Sequence, residues 1–313
     1  MTRFGLQIPN FTHDVDDADL FERVVEHATA AEESGFSSVW VMDHFFQLPP
    51  LGGPDQPILE AYTLLGALAA RTERVQLGTL VTGVTYRNPG MLAKIVTTLD
   101  VISRGRAILG IGAAWYDVEH EALGFEFPPV KERMDRLEDA VQICRAMFAE
   151  DHATFSGRHH SVRDARNLPR PIRESGIPIM IGGGGEKRTL RLVAQYADAC
   201  NIAGDLDTVR HKVDVLQRHC AEVGRDPSEV AVTRMSTLML TDSPDQTAQT
   251  RDFLVGAAGA EAAAGFTVGQ EDEVAAEVEA FAAAGVDELI FNMPLSDVDS
   301  VRRTGALLSS VAV

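Results

Sequence analysis

One residue pair in this chain has the makings of a proton-transfer site, and one glycine run has the makings of an anion site. The apolar run Trp40-Val41-Met42 is followed at once by Asp43-His44. A carboxylate at a strand end can accept a hydrogen bond from a ring N–H or a hydroxyl. A histidine beside it titrates near neutrality and can give or take a proton during hydride transfer. Taken alone, the pair also reads as a capping aspartate next to a loop histidine. The sharper feature is Gly182-Gly183-Gly184-Gly185-Glu186-Lys187, set between an apolar run and a segment of helical period. Four glycines there expose backbone N–H groups beside the positive end of a helix dipole, which suits phosphate. The run is not GxGxxG and lacks the Gly-Lys-Ser/Thr ending of a P-loop. Lys187 and Arg188, read as first-turn residues, oppose the dipole unless an anion meets them.

Two further segments have the right character. Gly78 to Val84 ends an apolar run with Leu80-Val81-Thr82 between small residues, which lets a backbone approach a flat ligand. Gly110 to Tyr116 brings Gly112 and Ala113 close to the same region, with Trp115 and Tyr116 able to wall a substrate pocket. Glu119 and His120 follow and carry little weight alone. His159-His160 has no partner at metal-ligand spacing, so no metal is expected. No HExxH and no GxSxG occurs, which weakens hydrolase readings.

These segments fall into a rhythm of short apolar runs and longer helical ones. Strands are expected at 4–8, 38–42, 75–81, 106–111, 178–181, 199–202, 230–240 and 288–292. Helices are expected at 16–34, 59–72, from Asn88-Pro89 to near Gly105, and at 131–148, 186–196, 206–223, 271–284 and 298–310. Residues 151–176 and 241–270 break the rhythm and read as irregular insertions. Eight strand–helix units in series need right-handed crossovers and parallel strands. At 313 residues they predict an α/β fold made of a single (β/α)8 TIM barrel with insertions, spanning 1–313. In such a barrel the residues after each strand meet at one mouth, so the four segments above converge.

Composition sets the outer bounds. Apolar residues make up 45% and charged residues 24%, enough for a large core. The formal net charge of −18 repels phosphate backbones and anionic lipids, which argues against nucleic acid and membrane partners. No apolar run reaches the length of a membrane span, and the start of the chain reads as a strand, not a signal peptide. Cys144, Cys200 and Cys220 are dispersed and odd in number, as expected of core thiols in a reducing cytoplasm.

Together these segments resemble the luciferase-like flavin/deazaflavin oxidoreductase superfamily, and within it the coenzyme F420-dependent branch. The likeness runs over nearly the whole chain. It is strongest in 39–47 (VWVMDHFFQ), 77–89 (LGTLVTGVTYRNP), 99–115 (LDVISRGRAILGIGAAW) and 178–201 (PIMIGGGGEKRTLRLVAQYADACN). The resemblance implies that Asp43 contacts the cofactor and that His44 acts near the hydride-transfer centre. It implies a non-prolyl cis peptide at Leu80-Val81 backing a tricyclic ring, a phosphate loop over Gly182 to Lys187, and a homodimer. The chain departs from the sugar-phosphate dehydrogenases of that branch at Trp115, where they carry a glutamate, and at Gly83, where they carry a hydroxyl. It departs from bacterial luciferase at Ala113, where luciferase has a phosphate-binding arginine. The leading expectation is hydride transfer between C5 of coenzyme F420 and a small-molecule substrate. The alternatives are an FMN-dependent monooxygenase with a separate flavin reductase, a sugar-phosphate isomerase or lyase, and a non-catalytic cofactor carrier.

Overall fold

The structure is a computed structural model and describes residues 2–11, 15–294 and 296–311. Eight strands form its centre: β1 (Arg3–Ile8), β2 (Ser38–Val41), β3 (Gln76–Thr79), β4 (Ala107–Gly112), β5 (Ile179–Gly182), β6 (Ala199–Ile202), β7 (Ala231–Leu240) and β8 (Glu288–Asn292). Each is parallel to the next through β6 and β7. The ring then closes through β7 with β8 and β8 with β1. This is the closed (β/α)8 barrel that the alternation predicts. Glycine and polar caps set the helix ends. Asn88 accepts from the amides of Gly90 and Met91 ahead of Pro89, and Asp205 accepts from Thr208 to start Leu206–Val223.

The barrel interior is filled, so its strands present a rigid platform to the mouth. Trp40, Met180 and Ile290 pack together inside it, and Trp40 donates through its indole N–H to Ser38 Oγ at 2.7 Å. The outer faces of the strands meet the helices in a second, larger core running from Phe4 to Leu308.

Several elements differ from the sequence reading. β3 stops at Thr79, and the Leu80–Val81 peptide that follows is cis, as the resemblance implied. The chain rejoins the sheet over Thr82–Gly83, which pairs with Ile111 and Gly112 of β4. Residues 117–123 form a short helix that the apolar pattern did not reveal. The first insertion holds an antiparallel hairpin, Ala153–Ser156 with Ser161–Ala165. The second is not irregular. Ser243 caps a helix over Pro244–Ala258, and Thr267–Gly269 then pairs with the end of β7. That helix buries only Thr247 and Leu254, so it shows no apolar stripe to read. The helix after the glycine run begins at Thr189, three residues later than expected, so Lys187 and Arg188 lie before it.

Among the described residues, no helix is long and apolar enough to cross a membrane. None of their His, Cys, Asp and Glu side chains gather in a group that could hold a metal. The three cysteines are buried and unpaired.

Candidate active site

The C-terminal ends of β2 to β7 enclose a cavity of about 360 Å³. Its floor is the Leu80–Val81 segment. The Leu80 amide donates to the Val41 carbonyl at 2.8 Å, and Gln7 donates from β1 to the Leu80 carbonyl at 3.3 Å. Val81 lies between two glycines. A Cβ at Gly112 would stand 2.8 Å from Val81 Cγ2, and one at Gly182 2.9 Å from both its methyls. Glycine at 112 and 182 is therefore what lets three backbones approach and leave a flat apolar surface. Thr82 joins a hydroxyl chain with Thr79 at 2.7 Å and Tyr62 at 2.6 Å, which ties the floor to β3.

Asp43 and His44 both line the cavity, each held by a partner far away in sequence. Arg87 grips Asp43 with two hydrogen bonds, 2.7 and 3.0 Å, and reaches Glu60 at 2.6 Å. Burial pushes the Asp43 carboxyl above its ordinary value, against the pull of the Arg87 guanidinium. His44 Nδ1 lies 2.7 Å from Glu119 Oε1. Glu119 is buried and also accepts from the Tyr86 hydroxyl, from the Phe45 amide at 2.7 Å and from the Phe46 amide at 3.2 Å. Burial alone raises a carboxyl, but these donors outweigh it and hold Glu119 below the usual range. An ionised carboxylate only accepts, so Nδ1 carries its hydrogen and donates. When the ring is neutral, Nε2 is then an acceptor. His44 is 14% exposed at its side chain, and no described group hydrogen-bonds to Nε2.

The glycine run forms the opposite wall. Gly182, Gly183 and Thr189 line the cavity, and Gly183 takes a φ of +117°. Its amide donates to the Asn201 carbonyl at 2.9 Å. Among the described residues, no group accepts from the amides of Gly184, Gly185, Glu186 or Lys187. Neither of the last two lines the cavity. Glu186 takes Lys212 at 2.6 Å and His211 at 3.2 Å, while Lys187 is exposed. Arg188 pairs with Asp135 at 2.6 Å.

The structure thus gathers Asp43, His44, Leu80, Val81, Thr82, Gly112, Ala113, Trp115, Gly182 and Gly183 around one cavity. It leaves Gly184, Gly185, Glu186 and Lys187 on the rim and Tyr116 buried behind Trp115, edge-on to His44. Sequence reasoning missed Arg87, Glu119, Tyr86, Thr189, Asn201 and Met235. Glu119 had a weak signal, as an acid just beyond the segment that ends at Tyr116.

A profile of the luciferase-like monooxygenases matches residues 2–288. The chain belongs to the luciferase-like monooxygenase family. Its relatives include F420-dependent glucose-6-phosphate dehydrogenases. That of Amycolatopsis mediterranei (strain U-32) is 38% identical over 175 residues, 56% of this chain and 50% of the relative. The match therefore spans about half the length of that relative. That of Rhodococcus erythropolis is 30% identical over 311 residues, 88% of each chain. The luciferase-like barrel also superposes on the structure of an F420-dependent secondary alcohol dehydrogenase in complex with an F420–acetone adduct. The TM-score is 0.80 at 22% identity, over 99% of this chain and 98% of the other, a likeness of fold.

Proposed function

We propose that this luciferase-like protein is a coenzyme F420-dependent oxidoreductase in which His44 moves the proton that accompanies hydride transfer. The observation that carries the reading is the His44–Glu119 pair beside a cavity with a flat apolar floor, whose far wall continues into a glycine loop with unused amides. The names of the relatives at 38% and 30% identity support the choice of deazaflavin.

The residues present fit such a group. A flat apolar floor of Leu80, Val81, Gly112 and Ala113 suits a tricyclic ring, and a cavity of about 360 Å³ is of ligand size. Asp43 keeps lone pairs beyond those that Arg87 uses and can accept from a ring N–H. The amides of Gly184 to Lys187, with the Thr189 hydroxyl, suit the phosphate. When bound, deazaflavin supplies a hydride acceptor or donor at C5. Glu119 holds the imidazole in one tautomer and steadies the imidazolium once Nε2 has taken a proton. Trp115 and Tyr116 border His44, so substrate enters on that side.

The test is a titration of the purified protein with oxidised F420 and with FMN, followed by fluorescence. Tight binding of F420 over FMN is expected. Preference for FMN would replace this reading with an oxygen-using monooxygenase and a partner reductase, and binding of neither would remove the glycine run as a cofactor site.

A further inference from the structure

The relatives named above act on glucose 6-phosphate, yet the charges around this cavity do not suit a second phosphate. Among the described residues, no lysine or arginine lines it. Lys187, beside the glycine run and away from His44, is exposed and has no partner among the described residues, but the other nearby cations are committed. Arg87 is held by Asp43 and Glu60, Lys212 by Glu186, and Arg188 by Asp135. Arg133 bonds to the carbonyls of Pro128, Ala113 and Ala114 and lies over the Phe127 ring at 4.1 Å. The glycine loop offers one run of free amides, which the cofactor phosphate would take. A phosphate ester on the His44 side would face the Asp43 carboxylate inside a chain of net charge −18.

What the His44 side does offer is apolar. Trp115 is 62% exposed, with its ring centroid 5.6 Å from that of His44. Val118 and Leu123, on the short helix after it, are also exposed. An aromatic side chain left this open beside a proton acceptor is placed to cover the apolar body of a ligand.

We propose that the substrate is an uncharged alcohol, interconverted with its carbonyl form, whose apolar ring or chain packs on Trp115, and not a phosphorylated sugar. The proposal rests on the deazaflavin reading, which supplies the hydride acceptor. In the oxidising direction the carbinol C–H bond breaks with its electron pair and the hydride passes to the deazaflavin, which is reduced. The hydroxyl proton passes to His44 Nε2, the C=O double bond forms, and the alcohol is oxidised by two electrons. The imidazolium then releases its proton to water at the mouth.

The chain has two tryptophans, and Trp40 is 1% exposed, so acrylamide quenching of the indole emission reports on Trp115. The full chain is first saturated with oxidised F420, with binding read from the deazaflavin's own fluorescence. Cyclohexanol or glucose 6-phosphate is then added. Cyclohexanol is expected to shield Trp115 and to bleach the deazaflavin absorbance, while glucose 6-phosphate does neither. Trp115→Ala should bind F420 as the parent does and bind cyclohexanol about tenfold more weakly. Shielding or bleaching by glucose 6-phosphate in place of cyclohexanol overturns the proposal, as does a Trp115→Ala variant with unchanged cyclohexanol affinity. If F420 fails to bind, the deazaflavin reading falls separately. Shielding by cyclohexanol in the cofactor-free chain then still supports the apolar subsite, and its absence there removes it.

Discussion

The two walls of the cavity are built by opposite means. At the end of β2, Asp43 and His44 are side chains clamped by other side chains. Arg87, itself bonded to Glu60, holds one, and Glu119, which also accepts from Tyr86, holds the other. At the end of β5, the glycine run offers backbone amides, while its side chains turn outward to Lys212, His211 and Asp135. A proton carrier needs one tautomer and one orientation, and those come only from partners that fill its remaining bonds. An anion cradle needs donors left unfilled, and glycine supplies them by withholding side chains. The polar network on the first wall should therefore contribute to stability, and the second wall mainly to binding.

The largest test of that contrast removes Glu119. Glu119→Ala leaves His44 Nδ1, the Tyr86 hydroxyl and the amides of Phe45 and Phe46 without their acceptor. A loss of about 3–5 kcal/mol in urea denaturation is expected. Next is His44→Ala, which opens no comparable hole but removes the proton acceptor. Turnover of cyclohexanol with F420 should fall about 10²–10⁴-fold. A third test uses pH. Glu119 sits below its ordinary value of 4.5, so its contribution is complete above about pH 4.5 and is lost as pH falls through the folded-state value. The stability of the parent should therefore drop faster than that of Glu119→Gln below about pH 4.5, and the gap between them should narrow on acidification. The smallest effect belongs to the other wall. Lys212→Met removes a largely surface ion pair with Glu186 and should change stability by less than about 1 kcal/mol.

What was legible in the sequence follows the same division. The barrel could be read because each strand is a short apolar run and each helix a 3.6-residue pattern bounded by glycine or a cap. The glycine wall could be read because its function lies in contiguous residues. The side-chain wall could not be read in full, because Asp43 meets Arg87 across 44 positions and His44 meets Glu119 across 75. Contacts of that span depend on the closure of the barrel, which no local pattern encodes. The helix over Pro244–Ala258 escaped for another reason. It buries too little to impose a period, and its Ser243-Pro244 start stands ahead of a stretch rich in alanine and glycine.

The most direct test of the division compares F420 binding by two variants, one from each wall, in the same fluorescence titration. Gly182→Ala places a methyl 2.9 Å from Val81 and disturbs the floor where the glycine run begins, whereas His44→Ala leaves floor and amides intact. The account predicts that Gly182→Ala binds F420 at least about tenfold more weakly than the parent, while His44→Ala binds it equally well. The reverse result, with Gly182→Ala unaffected and His44→Ala failing to bind, would contradict it.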